Sequence, residues 1–309
     1  MNWFGAKSRQ NEVVGVEFGV DGVAFAYVKR PATQQPQLIS CEFLPCDAGV
    51  NAADVLRGRL TKLGLQKIPC NLVINPNHYQ LLLGEAPKVP QEELAEALRW
   101  RVKDLIQFPV ADAIIDAFML PEDSVRGTSR MAYAVVAQRN NIVNLVAQAK
   151  AAQLKLQAID IPELVLRNLV QTCCDTKRGI ALVRLGQGGG SLQIIRDGNL
   201  YLSRQFSLAY NGGLLDDLPG DALILELQRS LDYFERQMRQ SPPSHVYLCG
   251  ENITRDKLTP EIRNGLAVTI EALNVEAGVQ IGSDVQAHTL SLCLLALGAA
   301  LREDAVEAA

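Results

Sequence analysis

The first regular hydrophobic pattern lies at residues 13–30, where two apolar runs flank a glycine-rich turn. In the second run Val23, Phe25 and Tyr27 alternate with alanines. A period of two places one side-chain set on each face of a strand. The segment therefore predicts two strands joined by a tight turn.

A helical pattern begins after Pro90, which suits the first turn of a helix because its fixed φ is already helical. Apolar residues recur at spacings of four, four and three, which places them on one face. They are Leu94, Leu98, Val102 and Leu105. The pattern predicts a helix with one buried face that ends before Pro109.

Similar patterns predict the remaining elements. The further strands are expected at residues 71–74, 79–83, 113–120, 131–137, 158–161, 180–185, 192–195, 200–206 and 246–249. The further helices are expected at residues 141–154, 221–239 and 285–301. The apolar run 289–301 is shorter than the roughly 20 residues that span a bilayer, so it predicts a buried helix.

The second half of the chain opens like the first, with a strand, a glycine-rich turn at residues 186–190 and another strand. Aligning Gly19 with Gly186 superposes the two strand–turn–strand units and places Glu17 opposite Arg184. This degenerate internal duplication predicts an α/β protein in which one such unit opens each half.

The composition narrows the class of protein. The chain has 309 residues, 48% of them hydrophobic and 21% charged, which is enough for two domains, or for one domain elaborated into lobes, with a hydrophobic core. Its net charge of −4 excludes a general nucleic-acid binder. Seven cysteines without a CxxC pair predict reduced thiols.

Residues 1–7 lack the apolar run of a signal peptide, and Trp3 and Phe4 leave open either a frayed terminus or contact with a membrane surface.

Glycine turns that follow strands can cradle phosphate through backbone N–H groups. Two such turns facing each other, with a third at Gly250, predict a nucleotide site in a cleft. However, phosphoryl transfer needs carboxylates to organise Mg²⁺, and the second turn presents the cation Arg184 instead. An ion pair between Arg184 and Glu17 that closes the cleft is the structural alternative. No catalytic or metal-ligating residue is predicted, since the three histidines are scattered.

Several segments together resemble the PilM-like proteins of type IV pilus assembly, and among them those of mannose-sensitive haemagglutinin (MSHA) pilus systems. The likeness runs in the right order through nearly the whole chain. The segments that carry it are Val14-Gly15-Val16-Glu17-Phe18-Gly19 and residues 98–110, 111–120, 135–137, 154–162 and 228–235.

This resemblance implies an actin-like (ASKHA) fold of two lobes. Residues 1–170 would form the first lobe with a small inserted subdomain at about 79–155, and residues 171–309 the second lobe, with the last helix packing back toward the first. The resemblance also implies a cytoplasmic protein, held at the inner membrane by its partner. That partner is the N-terminal cytoplasmic peptide of a bitopic PilN-type protein, here of the MshJ type, bound beside the inserted subdomain. The fold also allows self-association.

For a nucleotide, the resemblance implies ATP with Mg²⁺. The corresponding residues here are Gly15, Glu17, Gly19, Arg184, Gly186, Gly188, Gly189, Gly213, Glu226, Arg229 and Gly250. Relatives that bind ATP usually carry hydroxyl residues in the first loop and an aspartate in the second strand. This chain has Val20-Asp21-Gly22 and Arg184 there. Two functions therefore stay open, a scaffold that binds its partner and an ATPase that cycles between open and closed lobes.

Overall fold

The computed structural model describes residues 11–124, 129–213 and 215–303. The prediction about Trp3 and Phe4 lies outside these residues. Contacts between residues divide the chain into two compact units. The first unit contains the chain up to Ile74, Gln148–Cys174 and the chain from Asn274 onward, and the second contains Asn75–Ala147 and Asp175–Leu273. The boundary of the predicted lobes at residue 170 stays a prediction.

The described residues contain fourteen strands and eight α-helices. The strands are β1 Glu12–Phe18, β2 Gly22–Lys29, β3 Gln37–Pro45, β4 Pro69–Val73, β5 Tyr79–Glu85, β6 Ala113–Met119, β7 Met131–Gln138, β8 Lys155–Asp160, β9 Ile180–Gly186, β10 Gly189–Arg196, β11 Asn199–Ser207, β12 His245–Gly250, β13 Thr269–Ala272 and β14 Gln280–Ile281. The helices are α1 Ala52–Leu63, α2 Gln91–Val102, α3 Arg139–Ala151, α4 Pro162–Cys173, α5 Gly220–Gln237, α6 Pro260–Arg263, α7 Ala287–Leu292 and α8 Leu294–Ala300. None of the described helices is both long and apolar enough to cross a membrane.

The first unit is built on a six-stranded sheet in the order β14-β3-β2-β1-β4-β8. Strands β1, β2 and β3 are antiparallel, whereas β1, β4 and β8 are parallel. Helix α8 is fully buried and packs against β1 and α4. Two contacts also hold this end of the chain. Arg302, which is partly exposed, donates two bonds of 2.7 Å to the buried Asp160, and the buried Asn71 donates to the carbonyl of Ala299 at 2.9 Å.

The main sheet of the second unit has the order β11-β10-β9-β12-β13. Its first three strands are antiparallel, and β9, β12 and β13 are parallel. This matches the order and directions of β3-β2-β1-β4-β8 in the first unit. The duplication predicted from the glycine turns is therefore confirmed, and it covers five strands rather than two.

A separate three-stranded antiparallel sheet in the second unit has the order β5-β7-β6. Helix α2 covers one face of this sheet, which we call the helix-covered face. Leu94, Leu98 and Val102 are buried there against alternate residues of β6 and β7. Leu105 was predicted on the same stripe, but its side chain is 61% exposed because the helix ends at Val102 and the chain turns away.

The structure also corrects the prediction of one continuous last helix at residues 285–301. It is interrupted at Cys293, which ends α7 and begins α8. The buried apolar part is α8, whereas α7 has no buried residue. An uninterrupted apolar pattern does not reveal this break, because it arises where the chain turns to follow the sheet.

Candidate functional site

The first predicted phosphate turn, between β1 and β2, is closed by its own hydrogen bond. The N–H of Gly19 donates to the carbonyl of Gly22 at 2.8 Å. Gly15 lies inside β1, where a Cβ would stand 1.8 Å from the carbonyl oxygen of Ala296. Gly15 is therefore required for the close approach of α8. Glu17 is half-buried at the end of β1.

The second predicted turn, between β9 and β10, is also hydrogen-bonded, here to a residue outside the turn. Gly186 pairs with Gly189 across a two-residue turn, and Gly188 has a φ of 80°. The N–H of Gly188 donates to the carbonyl of Tyr210 at 2.8 Å. A Cβ on Gly189 would stand 2.3 Å from the carbonyl oxygen of Phe206, so this glycine permits the approach of β11.

The structure brings Gly250 and Gly213 together with this turn. Strands β9 and β12 are parallel, so Gly186 and Gly250 lie at the same edge of the sheet. Asn252, two residues beyond Gly250, donates from Nδ2 to the carbonyl of Gly212 at 2.7 Å. The N–H of Gly213 donates to Asp216 at 2.9 Å. The N–H groups of Gly188 and Gly213 and the carbonyl of Gly212 are thus already bonded to protein atoms.

Arg184 lies on β9, next to Cys249 of β12 in the register. Burial raises the pKa of the Cys249 thiol to about 12, and the positive charge of Arg184 opposes that rise. Arg184 is half-buried. Its positive charge thus lies near Gly186 and Gly250 at the ends of β9 and β12, where it would attract an anion.

Glu226 and Arg229 lie on α5 and bond to each other at 2.6 Å. Glu226 also pairs with Arg204 of β11 at 3.6 Å, and Arg204 donates to Ser230 at 3.2 Å. These bonds join α5 to β11. They give the two residues a structural role, whereas their predicted part in a nucleotide site stays a prediction.

The hydrogen bonds observed at these turns do not fit the predicted binding of ATP phosphate groups. A phosphate is held by backbone N–H groups that point at it, and those of Gly19, Gly188 and Gly213 donate to protein acceptors instead. Among the residues that the structure describes, no group of three or more His, Cys, Asp or Glu side chains could hold a metal ion.

A different surface of the second unit has the character of a binding site, and it lies within the predicted inserted subdomain, although the sequence analysis named none of its residues. The face of the three-stranded sheet opposite α2, which we call the open face, carries mostly apolar side chains. Its rows across β5, β7 and β6 are Tyr79–Ala137–Ile114, Leu81–Val135–Asp116 and Leu83–Tyr133–Phe118. Five of these apolar residues, Leu81, Leu83, Ile114, Phe118 and Val135, are only half-buried, and Asp116 is exposed. The signal that would have revealed this second face is that residues 81–83 and 113–115 are apolar at consecutive positions, which places apolar side chains on both faces of these strands.

No family model and no curated protein matches the chain. Solved structures do match it along nearly its full length. The cytoplasmic domain of EpsL, an inner-membrane component of the type II secretion system of Vibrio cholerae, aligns with 95% of this chain and 96% of its own at 11% identity and a TM-score of 0.52. A Bacteroides thetaiotaomicron protein of actin-like ATPase fold and unknown function covers 93% and 96% at 12% identity and a TM-score of 0.49.

The two matching sheets and the full-length similarities with TM-scores above 0.5 give the chain an actin-like fold. Within this class it is similar to a chain of the PilM–PilN type IV pilus biogenesis complex, with a TM-score of 0.71 and 19% identity. That alignment covers 94% of this chain and 98% of the other. The fold inferred from the sequence is confirmed.

Proposed function

We propose that the protein is an actin-like scaffold of type IV pilus assembly, of the MshI type found in MSHA systems. It binds the N-terminal cytoplasmic segment of a PilN-type, here MshJ-type, inner-membrane protein, and it works in the cytoplasm at the membrane through that partner. The observation that carries this proposal is the full-length similarity to a chain of the PilM–PilN complex. The N–H groups of Gly19, Gly188 and Gly213 donate to protein acceptors, which favours a binding function over turnover.

The open face supplies the docking surface in this proposal. Half-exposed Leu81, Val135 and Phe118 offer apolar area to alternate side chains of an extended peptide, which is how strand-like ligands gain specificity. Burial of such area contributes roughly 25 cal/mol per Å². The exposed carboxylate of Asp116 lies in the middle row of this face.

The charge of Asp116 suits the proposed partner. Cytoplasmic segments next to a membrane span carry an excess of Lys and Arg. A basic residue of the peptide would therefore meet Asp116 while its apolar neighbours meet the rows on either side. The interaction should weaken with salt, because a partly exposed ion pair is screened.

The test is a fluorescence-anisotropy titration with a labelled peptide of the cytoplasmic N-terminal residues of the MshJ-type partner. We expect saturable binding at micromolar concentration for the wild-type protein. Val135→Asp should lose at least about tenfold in affinity, because a charge replaces apolar contact area on the open face. The control is Val143→Asp on α3, whose valine is 56% exposed on another surface.

An absence of saturable binding at high micromolar concentration would contradict the scaffold proposal. Equal weakening by the two Val→Asp substitutions would instead contradict the assignment of the open face. Circular dichroism of both variants checks that neither result reflects unfolding.

The alternative is an ATPase of the same fold that gates partner binding. The convergence of Gly186, Gly213 and Gly250 at one sheet edge, near Arg184, favours this second function. Calorimetry with ATP and Mg²⁺ tests it. A Cβ on Gly186 would have no heavy atom within 4 Å, so Gly186→Val should fold. Heat of binding that disappears in this variant would support the alternative, and no heat in the wild-type protein would exclude it.

A further inference from the structure

A polar cluster ties the loop after β6 to the main sheet of the second unit. Arg196, the last residue of β10, forms an ion pair with Asp123. The same guanidinium group donates to Gln240 at 2.8 Å and to Tyr201 at 2.9 Å. Tyr201 in turn donates to Asp123 at 2.8 Å, and Gln240 donates to the carbonyl of Asp123 at 2.6 Å. Asp123 therefore takes part in three of the bonds.

Burial differs between the members of this cluster. Tyr201 and Gln240 are buried, and the Arg196 guanidinium stacks 4.4 Å from the centre of the Tyr201 ring. The side chain of Asp123, by contrast, is 56% exposed. Three members are thus fixed to the main sheet and to the end of α5, while the fourth belongs to the loop of the three-stranded sheet. This asymmetry makes Asp123 the part that separates when the cluster opens, because water can replace its bonds.

A second contact joins the same two sheets. The N–H of Ser203, on β11, donates to the hydroxyl of Tyr133 at 3.0 Å. Strand β11 lies at the edge of its sheet, so this N–H is one of its outward-pointing groups. Tyr133 is on the open face and contacts Phe118 in a tilted arrangement, with 5.5 Å between ring centres. Part of the open face is therefore held against the edge of β11.

We propose that Asp123, Arg196, Tyr201 and Gln240 form a releasable latch. When closed, it holds the open face against β11 through Tyr133. When the bonds of Asp123 break, the three-stranded sheet moves away from β11 and more of the open face becomes accessible. The latch stands on these contacts alone, whereas its role as a gate for the partner peptide rests on the proposed function.

Hydrogen–deuterium exchange of the full-length protein, without any peptide, tests the latch. Asp123→Ala removes the carboxylate, so we expect roughly tenfold faster exchange in β11 and β7 than in the wild-type protein. Asp123→Asn keeps one acceptor oxygen, so its exchange rate should lie between those of the wild-type protein and Asp123→Ala. The control is Glu122→Ala, whose side chain is 86% exposed and approaches Arg130 only to 3.7 Å. Exchange in Asp123→Ala equal to that in Glu122→Ala would overturn the latch.

The gate is tested separately with the labelled partner peptide. If the closed state must open before the peptide binds, Asp123→Ala should bind several-fold more tightly than the wild-type protein, since no free energy is spent on opening. Faster exchange with unchanged affinity would overturn the gate and leave the latch. Failure of the peptide to bind the wild-type protein would overturn the proposed function, and the exchange data would still decide the latch.

Discussion

At the scale of single residues, the glycines have two distinct roles that the sequence does not separate. Gly188 supplies a positive φ for a tight turn. Gly15 instead allows close packing, because a Cβ there would stand 1.8 Å from a backbone oxygen. Gly250 combines both roles, with a φ of 129° and a backbone oxygen 2.0 Å from the position of a Cβ. A pattern of glycines after strands predicts both roles equally well, so the phosphate hypothesis could not be decided from sequence.

The packing role of Gly15 leads to a stability prediction. Gly15→Ala places a methyl group against the backbone of α8, so we expect the free energy of unfolding to fall by about 2–3 kcal/mol or more. Gly58→Ala is the matched control, because Gly58 lies in α1 with open space around it. That substitution should raise the stability by about 0.5–1 kcal/mol. Urea unfolding measures both, and a tolerated Gly15→Ala would contradict the close approach of α8.

At the scale of elements, strongly periodic segments were predictable and irregular ones were not. The apolar residues of α2, which recur on one side of the helix, predicted both that this helix forms and which of its faces is buried. Strand β3 escaped prediction because its burial does not alternate and its pairing with β2 contains a register irregularity. Helix α1 had a usable signal that was overlooked, since Asn51 caps its N-terminus and Gly64 ends it with a φ of 70°.

The buried end of α8 depends on side chains from other elements. The last carbonyls of a helix have no partner within it, and here Asn71 and Asn168 donate to those of Ala299 and Gly298. Asn71→Ala should therefore lower the free energy of unfolding by about 1–2 kcal/mol. Asn144→Ala, at an exposed position of α3, should change it by less than about 0.5 kcal/mol. Equal effects in urea unfolding would contradict a role for Asn71 in holding α8.

At the scale of the whole molecule, buried thiols make stability depend on pH. Burial raises the pKa of Cys249 to about 12, of Cys173 to about 12 and of Cys174 to about 11, from 9.0 for a free thiol. Above pH 9 the unfolded chain therefore releases protons that the folded protein retains. The stabilising effect is fully present below pH 9 and is lost as the pH rises toward 11–12.

We expect the free energy of unfolding to fall by about 1.4 kcal/mol per pH unit for each such thiol above pH 9. Cys249→Ala removes one ionisable group, so its stability should fall less steeply between pH 9 and 10.5, whatever its stability at pH 7. Urea unfolding at several pH values gives both slopes. Identical slopes for the variant and the wild-type protein would contradict the raised pKa of Cys249.

The sequence by itself determined the class of fold, because that information is local and repeated. The fold class followed from three features of the sequence: the two strand–glycine–strand units, the apolar face of α2, and the segments that resemble PilM-like proteins in the right order. Only the tertiary structure decided which backbone N–H groups are already bonded, which glycines face a helix or strand, and that Asp123 meets Arg196. These facts depend on residues far apart in the chain, and neither spacing nor composition encodes how such residues meet in space.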